Sequence, residues 1–276
     1  MIVDYHMHLR GPNVAGREGA VDLSVEAVER FVETAAERGV DEIGFAEHMY
    51  YFREFSALIE YPYQRECIAH DLGAYVNAVA EAKRVGLPVK LGLEVEFFPG
   101  REAELTELLA PYPWDYLLGS VHLVDGEAVD LQPGLWERLP IGEVWRRYFA
   151  AVRDLAASGL VDVLAHPDLV KIFGMRPAPE ESAELYRETA VAVEAAGVAV
   201  EVSTAGLRKP VGELYPSPEL LAEFRARAVP VTLASDAHVY HDVGRDFDRA
   251  LELLRAAGYE TVTVLEGRRA RQEPLT

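Results

Sequence analysis

Six short runs of the sequence concentrate its metal-ligating side chains: D-Y-H-M-H at 4–8, A-E-H at 46–48, G-L-E-V-E at 92–96, G-S-V-H at 119–122, A-H-P-D at 165–168 and S-D-A-H at 235–238. They hold six of the eight histidines, each with carboxylates nearby. Imidazole and carboxylate without thiolate suit Zn, Mn or Fe. In His6-x-His8 the two rings point the same way on an extended chain, so both can reach one ion. The donors outnumber the needs of one tetrahedral site, which implies two or three divalent ions, with a carboxylate such as Glu94 able to bridge two of them. Paired ions about 3.5–4 Å apart are suited to hydrolysing phosphate esters.

These residues need a scaffold that brings them together. Apolar, β-branched runs predict strands at 2–5, 42–46, 89–95, 116–121, 162–165, 198–202 and 231–234, with 261–265 as a candidate eighth. Helical patterns fall between them at 24–38, 64–84, 102–109, 143–157, 179–196, 218–227 and 244–257, with Ser24 as an N-cap and glycines at 39, 86, 159, 197 and 258 as stops. Strand–helix alternation predicts an α/β fold with a parallel sheet, and seven or eight units fit a barrel spanning 1–276 better than separate domains. Each histidine motif then falls at a strand C-terminus, and a barrel collects those ends on one face. Residues 123–134 interrupt the alternation, and Asp125-Gly126 predicts a turn or hairpin there. His70 reads as an ordinary helix residue and His241 as a loop residue.

The 276 residues include 27 basic and 46 acidic ones, a formal charge of −19, which disfavours a nucleic-acid partner. Of the basic residues 23 are Arg and 4 are Lys. One cysteine, Cys67, excludes an intrachain disulfide and a Cys-rich zinc site. No apolar run is long enough to span a membrane, and the N-terminus has no signal-peptide layout, so the expectation is a cytoplasmic protein with no membrane partner.

Each motif alone has an ordinary reading: His166-Pro167 as a strand-end turn, Ser235-Asp236 as a cap, Glu47 as a cap or an ion-pair partner. As an ordered series the six resemble the PHP (polymerase and histidinol phosphatase) superfamily, over about residues 1–245. That resemblance implies a distorted (β/α)7 TIM-like barrel with a trinuclear metal centre. Within the superfamily, G-S-V-H-L at 119–123, T-A-G-L-R-K-P at 204–210, Tyr215-Pro216 and S-D-A-H resemble the stand-alone histidinol-phosphate phosphatases. This implies hydrolysis of L-histidinol phosphate in histidine biosynthesis; the alternative is another small phosphomonoester or a nucleotide.

Carried over by motif, the resemblance implies that His6, His8, Glu94 and Asp236 hold one ion. Glu94 bridges it to a second held by His122 and His166, and His48 and His238 take a third. The loop after the first motif offers no histidine, so Asp22 is expected as the remaining ligand, with Glu18 as the other choice. Arg208 is the expected phosphate clamp, since a guanidinium offers a bidentate fork. Lys171, Arg17 and Ser203 are further expected substrate contacts. Asp236 or His238 is expected to protonate the leaving group. Glu47 and Glu96 are expected to orient histidines, and Tyr50, Tyr51 and Phe52 are candidates for the organic end of the substrate. An amidohydrolase also places His-x-His on a first barrel strand but adds a lysine at a strand end, and none of Lys83, Lys90, Lys171 and Lys209 ends a predicted strand. A non-catalytic metal-binding module would show lost ligands, and here only the loop ligand is in question.

Overall fold

The computed structural model describes residues 1–9, 21–131 and 134–276. In chain order the strands are β1 (Val3–Asp4), β2 (Glu42–His48), β3 (Val89–Glu96), β4 (Leu118–Ser120), β5 (Leu123–Val124), β6 (Glu127–Ala128), β7 (Val163–Leu164), β8 (Ala199–Ser203), β9 (Val231–Ala234), β10 (Thr261–Glu266) and β11 (Arg269–Pro274). The helices are α1 (Val25–Glu37), α2 (Pro62–Cys67), α3 (Leu72–Arg84), α4 (Glu102–Leu109), α5 (Leu135–Arg138), α6 (Ile141–Ala157), α7 (Pro179–Ala196), α8 (Pro218–Ala226) and α9 (Phe247–Ala257).

Seven strands pair in parallel in the order β1-β2-β3-β4-β7-β8-β9. The two edges then approach each other. Tyr5 N donates to Leu233 O (3.2 Å), His8 N to Ala237 O (2.8 Å) and Ala237 N to His6 O (3.2 Å), through a parallel bridge between Met7 and Ala237. The sheet therefore curls into a (β/α)7 barrel with helices outside. Strand β3 is buried along its whole length, as a central parallel strand with both faces covered must be. Helix α1 shows the general rule for the outer layer: Ala27, Val28, Phe31 and Ala35 form its buried stripe, and the Ser24 hydroxyl accepts from Ala27 N at 3.1 Å as the N-cap. Burying a side chain such as Phe31 contributes about 1.5–3 kcal/mol.

Inside the barrel, one aromatic ring fills the layer below the site. Tyr116 stacks on Tyr5 with ring centroids 5.2 Å apart and donates to Tyr5 O at 2.7 Å. The space exists because β2 and β3 carry glycines there: a Cβ on Gly44 would lie 2.4 Å from Tyr116 Oη, and one on Gly92 2.4 Å from Tyr116 Cζ.

Three expectations need correction. The candidate eighth strand, β10, does not enter the barrel; it pairs antiparallel with β11. This hairpin covers the N-terminal ends of the barrel strands, where Arg268 N donates to Asp115 O (2.8 Å) and the Arg268 guanidinium pairs with Asp162 (3.0 Å). Second, the helix expected over 64–84 is two, because Asp71 caps a new start by accepting from Ala74 N at 2.9 Å. Third, His70 is not helical. It sits in the break between α2 and α3, and its backbone pairs with Tyr51 (2.9 Å) and Arg53 (3.1 Å). The Asp125-Gly126 turn does join a hairpin, β5–β6, with φ of 52° and 75° at its two turn residues, as a type I′ turn requires.

Candidate metal centre

The C-terminal ends of six barrel strands, or the residues just past them, meet around Glu94, which is 2% exposed at the end of β3. Its Oε1 lies 3.2 Å from His166 Nε2 and 3.4 Å from His122 Nε2, and accepts from Ser120 Oγ at 2.8 Å. Its Oε2 lies 3.5 Å from His6 Nε2 and 4.0 Å from His8 Nε2, and contacts His48 Nδ1. Asp236 faces the same two rings from β9, with Oδ1 3.4 Å from His8 Nε2 and 3.8 Å from His6 Nε2. His238 joins from the rim, its ring centroid 4.3 Å from that of His8.

The donors form three overlapping groups, each with its ligand atoms within 4.8 Å of one another: His6, Glu94 and His166; His6, His8 and Asp236; His8, His48 and His238. Of the expected ligands, Asp22 stands apart. Its carboxylate accepts from Ser24 N (3.1 Å) and Ser24 Oγ (2.7 Å) and pairs with Arg30 (3.2 Å), so it braces the start of α1. Glu18 and Arg17 lie outside the described residues.

A second ring of carboxylates holds the histidines from behind. Glu96 Oε2 is 2.8 Å from His122 Nδ1, and Glu47 Oε2 is 3.4 Å from His8 Nδ1. Glu201, 0% exposed on β8, bonds His6 Nδ1 at 2.9 Å and accepts from His166 N at 2.7 Å. Such partners turn each ring so that its other nitrogen faces inward, and they raise its basicity. Glu201 escapes the motif reading because it stands alone in V-A-V-E-V; the available signal is a carboxylate inside an apolar strand, which must be paired to be buried.

Electrostatics follow from this packing. Burial opposes charge on every member. Even so, His48, His6 and His122 hold the Glu94 carboxyl well below the usual carboxylate range. Glu201, Asp236 and Glu94 hold His6 well above the usual imidazole value despite its burial. Against the same burial, Glu96 and Glu94 push His122 up to about 10. His48 is the exception: burial, with His8 and His238 beside it, keeps it neutral. Carboxylate charge thus draws cations inward, and His6 Nε2 is buried with no hydrogen-bond partner among the described residues. Buried polar atoms without partners are costly, and a divalent ion satisfies several at once. The residues suit metal binding. Two of them have left-handed backbone, His166 (φ 26°) and Asp236 (φ 51°), where strain is often stored for function.

Beside the cluster lies a cavity of about 160 Å³ whose walls include His122, His166, Asp236, Tyr215 and Lys209. The expected substrate contacts fall differently. Lys171 is 0% exposed and is spent on Asp168 (2.8 Å) and Leu214 O (2.7 Å). Ser203 is buried, its hydroxyl accepting from Ala205 N at 3.3 Å. Arg208 donates to Ser235 O at 2.6 Å and so braces the turn before Asp236. None of the three lines this cavity; among the described residues the neighbouring Lys209 does. Of the aromatic candidates, Tyr50 lines the cavity and stacks on His48 at 4.6 Å, while Phe52 is 0% exposed and packs on Tyr75 at 5.5 Å.

The family model for the PHP domain matches residues 20–205. The chain belongs to the PHP family. A relative from Deinococcus radiodurans, named probable histidinol-phosphatase, is 35% identical over 240 residues, covering 84% of this chain and 88% of its own. The histidinol-phosphatase of Bacillus subtilis is 26% identical over 254 residues, 83% of this chain and 93% of its own. Among solved structures, histidinol phosphate phosphatase from Lactococcus lactis, complexed with Zn, L-histidinol and phosphate, superposes with a TM-score of 0.73 at 20% identity, covering 98% of each chain. That likeness shows the PHP barrel fold for this chain.

Proposed function

We propose that this protein is a metal-dependent phosphomonoesterase that hydrolyses L-histidinol phosphate to L-histidinol and phosphate. The observation that carries the reading is Glu94, buried with its two oxygens facing different sets of histidines, in a chain 35% identical to a probable histidinol-phosphatase. Two or three divalent ions, Zn, Mn or Fe, would be held by His6, His8, His48, Glu94, His122, His166, Asp236 and His238. Bound there, such ions lower the pKa of water and offset charge on phosphoryl oxygens.

The chain's own groups do the rest. Glu201, Glu96 and Glu47 keep the rings oriented. Lys209 in the cavity wall attracts the phosphate, which matters in a chain of formal charge −19. When the P–O bond breaks, the leaving oxygen needs a proton. Asp236 and His238, both in the cavity wall, are placed to pass one. Of these, His238 has its side chain 26% exposed at the rim and so trades protons with solvent. The substrate's ammonium and imidazole have complements in the same walls, in the Asp130 carboxylate and the rings of Tyr50 and Tyr61.

The test is phosphate release by the metal-loaded protein from histidinol phosphate and from a panel of nucleoside monophosphates, with metal analysis of the same sample. Expected are a preference for histidinol phosphate and at least two equivalents of metal. Faster release from the nucleotides, or none from histidinol phosphate, refutes the reading.

A further inference from the structure

Tyr215 is firmly braced in the cavity wall, and among the described residues its polar end is idle. The residue is 1% exposed, and its hydroxyl is buried with no hydrogen-bond partner among the described residues. Everything around the ring fixes it. Its backbone pairs antiparallel with the end of β8, Ser203 N donating to Tyr215 O (2.6 Å) and Tyr215 N to Ser203 O (3.0 Å). Lys171 Nζ lies 5.2 Å from the ring centroid, held by Asp168. Gly206 lies close enough that a Cβ there would stand 3.0 Å from Tyr215 Cε2 and 2.0 Å from Glu213 O. The ring meets that of His166 edge-on, with centroids 6.3 Å apart. Ser203, Gly206 and Lys171 thus build a seat for Tyr215, and Gly206 is the part of the T-A-G-L-R-K-P stretch that contributes to it.

A protein that fixes a ring this firmly and leaves its hydroxyl unpaired gives up stability, since an unmade buried hydrogen bond is costly. The cost is recovered if a ligand supplies the acceptor. We propose that Tyr215 binds substrate by donating a hydrogen bond from its hydroxyl to a phosphoryl oxygen. The acceptor's identity follows from location. Tyr215 shares its wall with His166, Asp236 and Lys209, where the phosphate rather than the organic end must lie. Burial, with Asp168 and Asp236 nearby, pushes the pKa of that hydroxyl up, in keeping with a hydrogen-bond donor.

This assignment rests on the phosphomonoesterase reading. The experiment compares Tyr215→Phe with wild type, both metal-loaded, in three measurements: kcat/KM for histidinol phosphate, the affinity for inorganic phosphate, and Tm. Loss of a hydrogen bond to a charged acceptor predicts a fall of about 10- to 100-fold in kcat/KM and weaker phosphate binding by about tenfold. Because the hydroxyl has no protein partner to lose, Tm of the ligand-free variant stays level or rises. A lowered Tm, or failure to fold, shows an internal structural role and overturns the proposal. So does a stable variant with unchanged kcat/KM and phosphate affinity. If wild type releases no phosphate, the phosphomonoesterase reading itself has failed; phosphate affinity still tests Tyr215 separately.

Discussion

Glu94 and Glu201 divide the work of the site between them. Glu94 presents one oxygen to His122 and His166 and the other to His6, His8 and His48. Glu94→Gln removes the charge while keeping the shape, so activity is expected to fall by about 100-fold or more with metal content reduced. Circular dichroism should still show a folded barrel. Activity within a few-fold of wild type would remove Glu94 from the bridging role. Among the described residues, Glu201 touches the site through His6 and His166. Glu201→Gln is expected to weaken metal affinity about 10- to 100-fold, read by competition with a chromophoric chelator. Unchanged affinity would make Glu201 a packing residue. The clustered histidines are legible from sequence because H-x-H and strand-end patterns are local. Glu201 is not, because nothing near it in the chain reveals that barrel closure brings β1 and β8 to within one strand of each other, with β9 between them.

At the scale of elements, the barrel depends on matched small and large residues. Gly44 and Gly92 leave room for Tyr116, so the three form one interlocking layer. Gly92→Ala is expected to cost about 1–3 kcal/mol as the ring is displaced. That lowers Tm by several degrees, measurable by calorimetry; an unchanged Tm would show that the ring has room to spare. The seven barrel strands follow from their β-branched runs, and helix stops such as Gly197 and Gly258 take the left-handed φ of 70° and 86° that a helix C-cap uses. The split between α2 and α3 is less legible. Asp71 is a capping residue by type, yet the apolar period runs across it, and the pairing of 51–53 with His70, which the chain does not announce locally, holds the break open beside that cap.

For the whole molecule, the cluster of buried carboxylates and imidazoles is a source of instability that bound ions would relieve. Ions that bind the folded state alone stabilise it by mass action. Treatment with a strong chelator is therefore expected to lower Tm by several degrees, with recovery on adding Zn. A melting curve indifferent to both would mean that the site contributes nothing to folding. The formal charge of −19 includes Glu94, Asp236, Glu201, Glu96 and Glu47, all at the centre. Cations bound there change the field at the cavity much more than composition suggests. Among the described residues no helix is long and apolar enough to cross a membrane.

The sequence by itself determined the alternation of strands and helices, the residue types able to ligate, and their placement at strand ends. All of these are encoded over a few neighbouring residues, by periodicity and side-chain chemistry. The tertiary structure decided which groups meet. It turned Asp22 toward Ser24 and Arg30, buried Lys171 against Asp168, brought Lys209 rather than Arg208 to the cavity wall, and seated Tyr215 beside His166. Those outcomes depend on barrel closure and on loops packing across it. Neighbours along the chain carry no record of distances between residues far apart in sequence.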